Sequence, residues 1–263
     1  MTSGKTFPVL RKPPIIEVVC GVHFDALELD GMVLLDGMVL GVYWDQRKDD
    51  FPTRQLQPAF SEGAGFVLGS PPLRAVLVGG DNVHVLQLQH NRFFMNWRAI
   101  GAAYPRFSTR EAGPGLMTKA LEEFGLFSDF CDKRFGRRPT PTRIELAKID
   151  KLVRGKHWRD LDDLAVVLPL AGTFGGPGHH GTREFALRFV ERDDPTDLIV
   201  AVNSITEQPG ELFNAVRIET RAVTPVAEGD LEAAFRRGND SVNSAFFKLI
   251  TDTKRFEPEG DAG

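Results

Sequence analysis

Apolar and polar residues alternate through the first ordered stretch of the chain. Ile16, Val18, Cys20, Val22 and Phe24 share one face of an extended segment, with Glu17 and His23 on the other. That period of two marks a half-buried strand and leaves His23 expected in solvent. Residues 27–51 read as a helix that ends before Phe51-Pro52. Short apolar runs follow at Leu73–Val78, Val83–Gln89 and Phe93–Arg98, separated by Gly79-Gly80-Asp81-Asn82 and by His90-Asn91-Arg92. They predict a meander of three strands. In the third run Phe93, Met95 and Trp97 point to one side and Phe94, Asn96 and Arg98 to the other.

The period then changes. Leu116, Ala120, Phe124, Phe127 and Cys131 recur at helical spacing, so 114–135 is a long amphipathic helix with Pro114 in its first turn. Ser108 and Glu111 have capping-box spacing, but Gly113-Pro114-Gly115 interrupts it. Ile144–Val153 reads as a strand whose alternation slips at Leu146-Ala147, the mark of a bulge. Leu164–Leu168 reads as a short strand. Glu184–Val190, Leu198–Ile205 and Phe213–Val223 form a second meander, with Val216 and Ile218 inward and Arg217, Glu219 and Arg221 outward. Asp230 caps a last helix striped by Leu231, Phe235, Val242, Phe246 and Ile250. The polar tail from Glu257 is expected to be disordered.

Runs of strands closed by long helices predict an α+β fold, with largely antiparallel sheet and the helices on one face. The order suggests duplicated strands-then-helix halves, residues 1–140 and 141–256, with a tail at 257–263. The halves form either one domain or two. One repeat is literal: LDGMVL occurs at 29–34 and again at 35–40. Six residues turn an α-helix by about 240°, so the second copy cannot renew the face of the first. The first copy is expected to be loop or a frayed turn, its glycine adding to the cost of a helix.

Composition narrows the class. The chain has 263 residues, 42% of them apolar, enough for a large core. Cys20 and Cys131 are the two cysteines, which excludes a disulfide framework and points to a reducing, cytoplasmic setting. No run is long enough to cross a bilayer, and the first residues lack the apolar core of a secretory signal. The net charge of −4 disfavours nucleic acid as a partner.

Candidate chemistry is sparse. No dinucleotide fingerprint, P-loop, zincin or nucleophile-elbow motif is present. His179-His180 lies in the glycine-rich run 172–181, where adjacent strand positions would face opposite ways and make a poor metal pair. Cys131 sits on an apolar helix stripe and reads as an inert buried thiol. Asp160, Asp162 and Asp163 read as a solvated turn, with magnesium binding as the functional alternative. No cofactor is implied, and no metal. Lys133, Arg134, Arg137, Arg138 and Arg143 form a basic patch near a helix C-terminus, suited to the helix dipole or to an anionic partner. Asn96, Arg98, Tyr104 and Arg106 offer a second set of donors, which could equally fix the turn between strand and helix.

The segment VLQLQHNRFFMNWRAIGAAYPRF, residues 85–107, resembles a sporadically distributed bacterial family with a Q-x-Q…RF…NWR…YPR signature. KPPIIEVVCGVHF at 12–24 and WDQRKDDFP at 44–52 also fit it. The resemblance implies the family's fold and a bacterial source, and no reaction, because the family has no established activity. A mid-chain T-Y-I-N-x-I strand of that family matches Ala147–Leu152 here, with Lys148 and Asp150 replacing its tyrosine and asparagine. The residues therefore suggest a non-enzymatic binding or accessory protein that works through a protein partner. The alternative is an enzyme or carrier with a pocket for a small anionic molecule. Oligomeric state is not legible.

Overall fold

The predicted alternation builds the first strand, β1 (Ile15–Phe24), with Val18, Cys20, Val22 and Phe24 buried. In this computed structural model the described residues are 7–29, 32–60, 73–101, 104–107, 115–174, 185–193, 195–206 and 213–256. The expectations for Ser108, Glu111, Pro114, His179, His180 and the tail fall outside them. After β1 come β2 (Glu28–Leu29), β3 (Met32–Val33), α1 (Gly37–Arg47), β4 (Thr53–Pro58), β5 (Leu73–Val78), β6 (His84–Gln89), β7 (Arg92–Arg98) and α2 (Leu116–Phe135). The second part holds β8 (Pro141–Val153), α3 (Leu161–Val167), α4 (Pro169–Phe174), β9 (Ala186–Asp193), β10 (Thr196–Ile205), β11 (Ala215–Pro225), α5 (Leu231–Leu249) and a short 3-10 turn, Thr253–Phe256.

The fold is α+β, with a nine-stranded antiparallel sheet in the order β4-β5-β6-β7-β1-β8-β11-β10-β9. Contacts divide the chain into two compact units. One comprises residues 18–146 and 224–236, the other 1–17, 147–223 and 237–263, so β1, β8, β11 and α5 contribute to both.

In the first of these units α2 starts behind Gly115 and ends where Gly136, at φ 65°, donates its N–H to the Asp132 carbonyl. Only a left-handed residue closes the helix this way, and glycine adopts that conformation without a Cβ clash. The predicted stripe is buried and packs in an aromatic cluster: Phe93 lies 5.6 Å from Phe124 and Tyr43 lies 5.5 Å from Phe127, ring to ring. Both faces of β7 are covered, because Phe94 and Asn96 are each 3% exposed.

The helix expected over 27–51 is shorter than predicted. The two LDGMVL copies take different structures, the first lying in the β2–β3 ladder and the second opening α1. Asp36 of the second copy caps α1 by accepting a hydrogen bond from the Val39 N–H at 2.9 Å. Its Leu35 and Leu40 are fully buried.

In the other unit α3, α4 and α5 pack with one face of the sheet. Leu152, Val202 and Ile218 from the strands meet Leu164, Val167 and Phe246 from the helices, and Ile250 just past α5. The segment 164–168, expected as a strand, lies in α3 and at its end. Asp160 caps this helix through the Asp163 N–H at 2.9 Å, a start signal that a short apolar run conceals. On β11 the predicted alternation holds: Val216 and Ile218 are buried, while Arg217, Glu219 and Arg221 are half-buried on the other face.

Candidate functional site

The residues nominated from the sequence do not meet in one site. Asn96 was expected to project toward a partner but is buried opposite Val85. Arg98 follows at the strand end, where its N–H donates to the Val83 carbonyl. The Tyr104 ring packs 5.5 Å from Trp97. Arg106 holds a φ of 67°, and its carbonyl accepts the Leu116 N–H, so it shapes the entry to α2. In the basic patch Arg134 and Arg137 are exposed, while Arg138 is bridged to Asp129 at 2.8 Å and to Asp132 at 3.1 Å. Asp129 and Asp132 of α2 therefore offset part of the patch's charge at the C-terminus of that helix.

Asp160, Asp162 and Asp163 open α3. Arg255 grips Asp163 at 2.6 and 2.8 Å. These bonds, helped by the Arg159 N–H, hold the Asp163 carboxyl down at about 2. No group of three or more metal-ligating side chains is found among the described residues. Burial pushes the Cys131 thiol up to about 12, so it is no nucleophile at neutral pH.

A cleft of about 470 Å³ lies in the unit that contains α1 and α2. Its walls are the end of α1, the β5–β6 turn and the first turns of α2, over Met95. A Cβ at Gly79 would stand 2.9 Å from Asp81 Oδ1 and 3.1 Å from the His84 carbonyl, so a side chain there would displace Asp81. Arg47 donates to both Glu123 oxygens at 2.6 and 2.9 Å and to Asp50 at 3.2 Å. Asp81 accepts from the N–H groups of Val83 and His84 and lies 2.7 Å from His84 Nδ1. Burial works to raise the Asp81 carboxyl, but the hydrogen bonds from His84 and Val83 outweigh it and hold it below the usual range. An aspartate bonded to Nδ1 is the arrangement that orients a histidine base. Here, however, Nε2 is buried and has no hydrogen-bond partner, so it does not reach the cleft as a base would. Asp50, Asp81, Glu122 and Glu123 face the two fixed cations Arg47 and Lys119, a balance that repels an anion.

A second feature, not legible in the residues themselves, is the sheet edge at β9. The β9 register runs Ala186↔Asn203 through Asp193↔Thr196 along β10, and among the described residues no strand follows it in the sheet. Ser204 N–H donates to the Phe185 carbonyl, so Phe185 faces β10. Alternation then turns the backbone groups of Ala186, Arg188, Val190 and Arg192 outward. Phe189 and Val190 are 46% and 48% exposed on opposite faces of this edge. The other edge, β4, runs Thr-Arg-Gln-Leu-Gln-Pro, the polar and proline-ended composition that protects an edge from pairing.

No protein-family model and no curated protein matches the chain.

Proposed function

We propose that this is a non-enzymatic binding protein that engages a protein partner by adding the partner's strand to β9. One observation carries the reading: among the described residues no strand pairs with the outer edge of β9, which lies between two exposed apolar side chains, Phe189 and Val190. Such an edge is the receptor for strand addition, in which backbone hydrogen bonds give affinity and alternate side chains give specificity. The cleft supports the small-anion alternative less well, because its carboxylates outnumber its cations and its histidine nitrogen is buried. A reducing, cytoplasmic setting fits Cys20 and Cys131, which are both buried and form no disulfide.

Val190→Pro tests the reading. Proline removes one outward N–H without breaking the β9–β10 ladder. The expected result is loss of partner capture from the native cell with a melting temperature within a few degrees of wild type. Undiminished capture by a folded Val190→Pro protein would remove β9 from the function.

A further inference from the structure

The side chains that flank the β9 edge specify the chemistry of the strand it accepts, an inference that rests on the reading above. On the face away from the helices, β9 presents Arg188, Val190 and Arg192, all exposed. Behind them the register sets Ala201 beside Arg188 and Ile199 beside Val190 on β10, then Glu219 and Arg221 on β11. Glu219 is already held by Arg217 at 2.9 Å and by Arg221 at 2.6 Å. Across the ladder Arg192 meets Asp197, and Arg188 meets the uncharged Ala201. The whole chain carries −4, so this cationic stripe runs against the net charge of the protein. On the helix-side face Phe185 and Leu187 pack on the core and Phe189 continues the same row into solvent.

From this we infer that the partner strand is acidic and apolar in alternation. It places carboxylates on the face of Arg188 and Arg192 and apolar side chains on the other face, against Phe189. Opposite charges across a strand pair stabilise it, and like charges destabilise it. A second copy of this chain fails the same criterion. In antiparallel pairing outward-facing residues oppose outward-facing residues. Every self-pairing register therefore gathers Arg188 and Arg192 of both copies on one face.

The probe is a strand-length synthetic peptide of alternating Glu and Val, compared with its Gln and Lys analogues and with a single-stranded oligonucleotide. Binding to the full chain is read by titration calorimetry at low and moderate salt. The Glu peptide should bind roughly tenfold more tightly than the Gln peptide, about the worth of two exposed cross-strand charge pairs. The double variant Arg188→Glu/Arg192→Glu should transfer the preference to the Lys peptide, and Val190→Pro should bind none of the three. Equal binding of the Glu and Lys peptides overturns the inference, as does oligonucleotide binding that Val190→Pro leaves intact. No binding of the Glu peptide, with native partner capture still lost in Val190→Pro, refutes the acidic strand and leaves the edge as the binding element. Retained capture in Val190→Pro refutes the edge itself.

Discussion

Lys148 and Asp150 stand two residues apart on β8, so they share one face of the strand, and both are buried. The Lys148 ammonium donates to the side-chain oxygens of Asn239 and Asn243 on α5, at 2.8 and 2.7 Å. The two asparagines lie four residues apart and therefore on one helix face. Asp150 is 2% exposed, and its Oδ1 has no hydrogen-bond partner among the described residues. Burial raises its carboxyl to about 7, with Lys148 pulling the other way. A carboxyl raised in the folded state binds more protons folded than unfolded. Its stabilising contribution is complete below the unfolded value near 3.8 and is lost as pH rises through about 7. Asp150→Asn keeps the shape and removes the charge. The variant should match wild type below about pH 4 and exceed it above pH 7, by an amount on the order of a few kcal/mol. Urea unfolding of both proteins across that range measures the difference, and a pH-independent gap would show that Asp150 is not neutral in the fold. The sequence marked Lys148 and Asp150 only as departures from a related strand. It could not show that they lie under α5, because placement beneath a helix is a tertiary fact.

Elements were legible where one face meets water and illegible where neither does. β1, α2, α5 and the last strand of the second meander are legible from their periods. The slip at Leu146-Ala147 was read as a bulge, yet residues 144–150 of β8 are all buried, so alternation has nothing to report there. β7 hid Asn96 for the same reason. α3 was misread because five apolar residues fit a strand or a helix equally well, and the decisive signal was the capping Asp160 before them. Edge character was missed because nothing in Ala186–Asp193 says which strand is last in the sheet. The LDGMVL tandem gives an element-scale prediction. Deleting either copy yields the same chain, since the copies are identical. The remaining copy should take the helical role, with its aspartate as the cap and its first and last leucines buried as Leu35 and Leu40 are now. Only the two-residue β2–β3 ladder is then lost. The deletion variant should be soluble, with a melting temperature lowered by several degrees, whereas deleting Leu86–Asn91 should abolish folding. Insolubility of the tandem deletion would mean that both copies are required.

Across the whole molecule, stability against pH is set by a few groups whose protonation differs between folded and unfolded chains. Asp150 opposes folding as pH rises from about 4 toward 7. His157 works in the opposite direction over nearly the same range. It is 5% exposed, its Nδ1 accepts the Val153 N–H at 2.8 Å, and its ring lies 5.5 Å from Phe256. Burial lowers its value to about 4, with Lys156 adding repulsion. A depressed histidine is neutral in the fold, so its contribution is complete above the unfolded value near 6.5 and is lost as pH falls toward 4. Asp163, held at about 2 by Arg255, adds stability that is lost below pH 4. The two slopes between 4 and 6.5 offset each other, so wild-type stability should be nearly flat there and fall on either side. The variants separate the terms. Asp150→Asn should become more stable as pH rises from 4 to 6.5, because only His157 still titrates in that range. His157→Asn keeps an acceptor near the Nδ1 position and loses the titration; it should be less stable throughout for want of the ring, but its stability should now decline as pH rises. The double variant should return to a flat profile at lower stability. Thermal unfolding of the four proteins at half-unit steps of pH reads the signs directly, and parallel profiles for all four would show that neither group is buried as described.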